Sequence, residues 1–117
     1  MAWPPTTGPR EYADEFLGYA SRAVRDLCER RGCELESLTW EVTTGATGGT
    51  VGATGGTVVA ATAVVLFRGH RCVYRRRVWP PNHPAPTRAG IYATLLEECL
   101  LTRVRPAPGG HVPTLDL

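Results

Sequence analysis

Residues 57–67, TVVAATAVVLF, form the longest run of mainly apolar side chains in the chain and contain no charge. β-branched and aromatic residues are enriched in strands, and a short continuous apolar run is typical of a strand that is buried on both faces. Residues 38–43 and 71–79 read as strands on either side of this run, and both can pair with it. Residues 57–67 therefore predict the central strand of a sheet.

Two helices are predicted to flank these strands in the sequence. From Arg10 to Arg31 the apolar residues recur at helical spacing, and Gly32 is a natural stop signal. Thr87 can cap a second helix, which Pro106 would end. We expect an α+β fold of order αβββα, in which a three-stranded antiparallel meander packs both helices on one face.

The length and the flanking composition indicate one domain. A chain of 117 residues can bury a modest core, and its two ends are rich in proline and glycine. We expect a single domain at 10–105, an irregular N-terminal segment at 1–9 and an irregular C-terminal tail at 106–117. The first residues contain no apolar segment of the secretory type, which predicts a cytoplasmic protein.

The cysteines are the first candidates for a metal site. Their positions, 28, 33, 72 and 99, show no paired spacing, which is typical of a reduced protein. Three of them and one histidine make a zinc site conceivable: Cys28, Cys33, His70 and Cys72. That set lacks the close CxxC spacing of zinc knuckles, so we predict no metal and no cofactor.

A tandem repeat precedes the central strand. Residues 45–51 and 52–58 both read GATGGTV. A solenoid needs more and longer units, so the repeat indicates a local duplication. Its glycines predict a flexible connection, and a phosphate-binding loop is disfavoured because no Lys and no GKS or GKT ending is present.

The order αβββα and the element lengths over residues 10–104 resemble two families. One is the double-stranded RNA-binding domain, and the other is the YbaB-type nucleoid-associated proteins, which are dimers. The basic cluster that opens the second helix of the RNA-binding domain is absent here, where TRAGIYATL contains Arg88 alone. The resemblance therefore implies a layout and assigns no site residue.

Catalytic patterns are missing from the sequence. The histidines, His70, His83 and His111, fall in predicted turns or in the tail, far from any acid–nucleophile pattern. Glu97 and Glu98 are adjacent on a predicted helix, where neighbouring side chains point in different directions. Because no nucleophile is paired with a base, the sequence predicts a non-catalytic binding module.

The open face of the sheet is the predicted binding surface. If the central strand is apolar on both sides, its outward side is exposed in a monomer, and such patches mark interfaces. We assign association with a second copy or with another protein to six residues: Val59, Ala61, Ala63, Val65, Val73 and Trp79. The opposite parity of residues 57–67 remains an open alternative for the outward side.

Binding of double-stranded RNA or DNA is the alternative function. The net charge of +2 is too small to indicate it alone, but Arg75 and Arg77 share a predicted face with Trp79, and Arg88 opens the second helix. Guanidinium groups bind phosphates, and an indole ring can stack on a base. Charged residues also alternate along a strand simply because they face water.

Overall fold

A computed structural model describes residues 8–44, 57–107, 109 and 112–117. The elements in chain order are helix α1 (Pro9–Arg31), strands β1 (Glu34–Thr44), β2 (Thr57–Phe67) and β3 (His70–Trp79), helix α2 (Ala85–Arg103) and strand β4 (Thr114–Asp116). Most of the duplicated heptapeptide, at 45–56, lies outside the described residues, as do residues 1–7 of the predicted N-terminal segment.

The sheet confirms the α+β class and places the apolar run at its centre. The strand order is β1-β2-β3-β4, and β2 pairs antiparallel with both β1 and β3. The expected three-stranded antiparallel sheet is not confirmed, because β4 joins the edge of β3 in parallel. The sheet is therefore mixed and has four strands.

Strand β4 corrects the prediction of an irregular tail over 106–117. The amide of Arg71 donates to the carbonyl of Pro113 at 2.9 Å, and the amide of Leu117 donates to the carbonyl of Val73 at 2.9 Å. Leu115 and Leu117 pack against the core. The two leucines supply the apolar anchor that holds this segment on the edge of β3, although the prolines and glycines before them indicate a loop.

Both helices lie on one face of the sheet, as predicted. Ala61 and Ala63, in the middle of β2, are fully buried on that face. Phe16 of α1 and Tyr92 of α2 meet there with ring centroids 5.4 Å apart. Small side chains on the central strand leave room for these large rings, because a close-packed interior tolerates little extra volume.

Two β-bulges change the direction of side chains near the strand ends. The β1–β2 register shifts between Leu35 and Ser37. On β3, Arg77 pairs with Ala60 while Trp79 pairs with the preceding residue of β2, so Val78 is the extra residue between the two pairs. A bulge inserts one residue and reverses the alternation of faces beyond it.

The β2–β3 hairpin closes through Arg68 and Gly69. Their φ angles are 54° and 82°, so both central residues of this two-residue turn occupy the left-handed region. This is the backbone of a type I′ turn, whose twist matches that of the strands it joins. Arginine is uncommon in that region, whereas glycine adopts it freely.

Candidate interaction face

The outer face of the sheet is the face that carries no helix. The register places five β2 residues along its middle: Val58, Ala60, Thr62, Val64 and Leu66. Ala60 is buried and the other four are half-buried. The centre of the outer face is therefore mainly apolar and partly accessible to water.

Opposite charges lie on the two sides of this apolar centre. On the β3 side, the outer face carries Val73 and three arginines: Arg71, Arg75 and Arg77. On the β1 side, it carries three exposed glutamates: Glu34, Glu36 and Glu41. The outer face is thus basic along one outer strand and acidic along the other.

Two ion pairs cross β2 on the outer face. Arg71 on β3 donates through Nε and Nη2 to the two carboxylate oxygens of Glu36, at 3.0 and 3.2 Å. Arg75 donates through Nη2 to Glu41 Oε2 at 2.8 Å. The hydrogen bond from Arg71 lowers the pKa of the Glu36 carboxyl, so this carboxyl stays ionised to a lower pH than a free glutamate does.

The two-pronged contact between Arg71 and Glu36 has the planar geometry that makes arginine–carboxylate pairs specific. Glu36 reaches Arg71 because the β1 bulge falls at this point of the strand. Exposed ion pairs of this kind contribute little to stability, typically about 0–1 kcal/mol. Their main consequence is that both charges are held in fixed positions over the apolar centre.

The structure corrects the predicted outward face of the central strand. Val59, Ala61, Ala63 and Val65 were assigned to the interface, but all four are 0% exposed and lie beneath the helices. The helices need the face with the small alanines, so the opposite parity of β2, the alternative left open by the sequence, faces outward. Of the remaining interface candidates, Val73 does lie on the outer face.

Trp79 lies on the helix side, in contrast to the prediction. Its ring packs edge-on against Tyr12 of α1 with centroids 5.4 Å apart. The bulge at Val78 is the physical reason, because it reverses the alternation that correctly puts Arg75 and Arg77 outside. No feature of the residue types over 71–79 marks the position of that bulge.

The arginines proposed for nucleic-acid binding are only partly brought together. Arg75 and Arg77 share the outer face, and Arg75 is engaged by Glu41. Arg88 belongs to α2, is half-buried, and donates through Nη2 to the backbone carbonyl of Arg77 at 3.1 Å. The three guanidinium groups therefore do not form one continuous outward surface.

The cysteines and histidines were the sequence candidates for a metal site. No group of three metal-ligating side chains occurs within residues 8–44, 57–107, 109 and 112–117. Burial raises the pKa of the Cys28 thiol to about 12 and that of Cys72 to about 11. His70 hydrogen-bonds the carbonyl of Arg105 at 2.9 Å, and His111 lies outside the described residues.

Comparison with protein-family models, curated proteins and solved structures finds no match to this chain. Neither helix of the described part is long and apolar enough to cross a membrane. Among the charged residues of the outer face, Glu34, Glu36 and Arg71 are the ones that the sequence analysis did not single out. The alternation of Glu41 with the apolar residues Trp40 and Val42 indicates that Glu41 faces outward. The outward position of Glu36 depends on the β1 bulge, which the sequence does not mark.

Proposed function

We propose that this protein is a non-catalytic binding module that associates with a second copy of itself through the outer face of the sheet. The observation that carries the proposal is the arrangement of charge about β2: arginines on β3, glutamates on β1 and apolar residues between them. Protein interfaces commonly have a centre that is depleted of charged residues, with arginine enriched around it.

The charge arrangement favours one symmetry. A two-fold axis parallel to β2 places β1 of one copy over β3 of the other, so Glu41 of each copy meets Arg75 and Arg77 of its partner. A two-fold axis running across the strands places β1 over β1 and brings glutamates together. Like charges held opposite each other disfavour the second arrangement.

The size of the face sets the expected affinity. Three strands of about ten residues, spaced about 4.8 Å apart and rising about 3.3 Å per residue, cover roughly 450 Å² in projection. A standard stable interface buries about 800 Å² per partner. We therefore expect a reversible dimer that dissociates in the micromolar range rather than an obligate one.

Sedimentation velocity between about 1 and 100 μM tests association, because that range brackets the expected constant. Val64→Lys places a charge at the apolar centre and should leave the protein monomeric. Leu95→Lys is the matched control, since Leu95 lies on α2 and is 39% exposed. A wild-type protein that stays monomeric throughout, or equal effects of the two lysines, would refute the proposal.

A charge reversal tests the symmetry. Glu41→Arg should weaken the dimer, because it places like charges opposite each other twice in the proposed arrangement. Adding Arg75→Glu should restore part of the association, since the exchanged pair is again complementary, although Arg77 still lies opposite the positive charge at position 41. If Glu41→Arg strengthens association instead, the axis runs across the strands and the proposed arrangement is wrong.

Nucleic-acid binding is the competing function and has less support. Glu41 engages Arg75, and the glutamates of β1 would repel phosphates from the same face. A gel-shift titration at low salt distinguishes the two functions, because phosphate-driven affinity falls with added salt with a log–log slope of about −0.9 per phosphate neutralised on B-DNA. Salt-dependent binding that Arg75→Gln and Arg77→Gln remove would favour nucleic acid.

A further inference from the structure

A basic pocket lies at the end of the molecule where α1 stops and the β2–β3 hairpin turns. This pocket has a volume of about 430 Å³ and is lined by Arg30, Arg31, Gly32, Phe67, Arg68 and Leu101. A second depression of about 370 Å³ adjoins it and shares Gly32, Phe67 and Arg68 with it. The pocket is more open to solvent than enclosed, so a ligand bound there would stay partly exposed.

Three guanidinium groups line the pocket, and two carboxylates among the described residues contact them directly. Arg30 and Arg31 both bond a single oxygen of Glu97, at 3.2 and 2.6 Å. Arg30 also contacts Asp26, whose side chain is 70% exposed. Arg68 forms no ion pair within the described residues. Glu34 lines the adjoining depression.

Donors remain available on each of the three arginines. A guanidinium has five N–H groups, whereas Arg31 uses Nε on Glu97 and Arg68 uses Nη1 on the carbonyl of Val104 at 2.7 Å. Arg30 uses Nε and Nη1. Within the described residues, Nη2 of all three forms no hydrogen bond. Each of the three arginines that line the pocket therefore keeps N–H groups that an anion could accept from.

Arg68 is held in place by contacts that restrict its guanidinium. The group lies 4.8 Å from the centroid of the Phe67 ring and is tied to the end of α2 by its bond to Val104. Its backbone has a φ of 54°, a conformation that other residue types adopt more easily. The type I′ turn accounts for this backbone conformation, and a restrained cation loses less freedom on binding.

We propose that this basic pocket binds a small phosphate monoester that carries an apolar group. The arginines would bind the phosphate oxygens, since planar forks match that geometry. Phe67 and Leu101, which line the same pocket, would contact the apolar group. Leu101 is 39% exposed and so is accessible for such a contact.

Phenyl phosphate is the probe, with inorganic phosphate and benzyl alcohol as the two half-ligands. Titration is followed by the amide chemical shifts of Gly32, which lines the basic pocket, and of Gly69, which lines the adjoining depression. We expect saturable shifts with a dissociation constant of about 1 mM for phenyl phosphate, the order set by its eleven heavy atoms. Each half-ligand should bind at least about tenfold more weakly.

Arg31→Gln should weaken phenyl phosphate binding about tenfold, because a hydrogen bond to a charged group is lost. Arg22→Gln is the matched control, an exposed arginine of the same helix outside the pocket. Arg68→Asn, which keeps a residue that tolerates positive φ, should have the same effect as Arg31→Gln. Equal affinities for Arg31→Gln and Arg22→Gln, or no saturation by about 20 mM, would overturn the proposal.

Discussion

Three tyrosines differ in how their hydroxyl groups are placed, and this difference predicts opposite effects of the same substitution. Tyr92 is fully buried, and its hydroxyl lies 3.2 Å from the carbonyl oxygen of Ala61 and 3.1 Å from that of Tyr74. Tyr74 is also fully buried, but its hydroxyl has no hydrogen-bond partner among the described residues. Tyr19 is 42% exposed on α1. Replacement by Phe removes only the hydroxyl at each site.

The expected magnitudes follow from these contacts. The Tyr92 hydroxyl has one proton, which the two carbonyls share, so Tyr92→Phe should lower the free energy of unfolding by about 1–1.5 kcal/mol. For a chain of this size, that corresponds to a melting temperature about 4–6 °C lower. Tyr74→Phe removes a buried hydroxyl that forms no hydrogen bond within the described residues. The substitution should therefore leave the free energy of unfolding unchanged or raise it by up to about 1 kcal/mol.

Arg76 lies beside Tyr74 and opposes part of the effect of burial on the pKa of its hydroxyl, although no hydrogen bond of good geometry joins the two. Its guanidinium lies over the Tyr74 ring, 4.4 Å from the centroid, and phenylalanine preserves that contact. Thermal and urea unfolding of the three variants give the comparison, with Tyr19→Phe as the exposed control expected within about 0.5 kcal/mol of wild type. If Tyr74→Phe destabilises as much as Tyr92→Phe, hydrogen bonding of the buried hydroxyl does not decide their contributions.

Three further predictions concern the buried thiols, the tail strand and the repeat. Burial raises the pKa of Cys28 from its ordinary 9.0 to about 12 and that of Cys72 to about 11, so their stabilising contribution is complete below pH 9 and is lost as the pH rises towards 12. The free energy of unfolding should fall over that pH range, and it should fall less steeply in Cys28→Ala than in the wild type. Equal slopes of the free energy against pH would contradict this expectation. Leu115→Ala should cost about 1–2 kcal/mol because the side chain is half-buried, whereas Val112→Ala, which is 52% exposed, should be nearly neutral in the same urea titration. Deletion of 52–58 restores an identical junction before Val59 and should leave the circular dichroism spectrum and the sedimentation unchanged. The shorter loop should raise the free energy of unfolding by about 0.6 kcal/mol, which corresponds to a melting temperature about 2–3 °C higher. Loss of association without a fall in melting temperature would show that the repeat contacts the partner.

The sequence predicted the elements of the central sheet well because periodicity acts locally. The strand over 57–67 coincides with β2, and the helix expected over 10–31 begins one residue earlier, at Pro9. Strand β4 was missed because its three residues are too short to show alternation, and its register is set by β3. Contacts made through tertiary structure are not encoded in the local pattern of that segment.

The assignment of faces was harder to obtain from the sequence. An apolar run on both sides gives no parity signal, so Val65 and Val64 are indistinguishable until the helices are placed. Packing against Phe16 and Tyr92 selects the side with Ala61 and Ala63. The bulge at Val78 determines in the same way which face Trp79 lies on, since a register shift of one residue moves a side chain to the opposite face of the sheet.

The edges of the sheet also bear on how two copies would associate. β1 is an edge strand of eleven residues, and a long open edge invites pairing with another strand. It carries Glu34, Glu36 and Glu41, and a bulge interrupts it near Glu36. Charges and bulges are the features by which edge strands avoid pairing. Edge-to-edge joining of two β1 strands would also bring these glutamates together, so association through the outer face is the route that leaves opposite charges in contact.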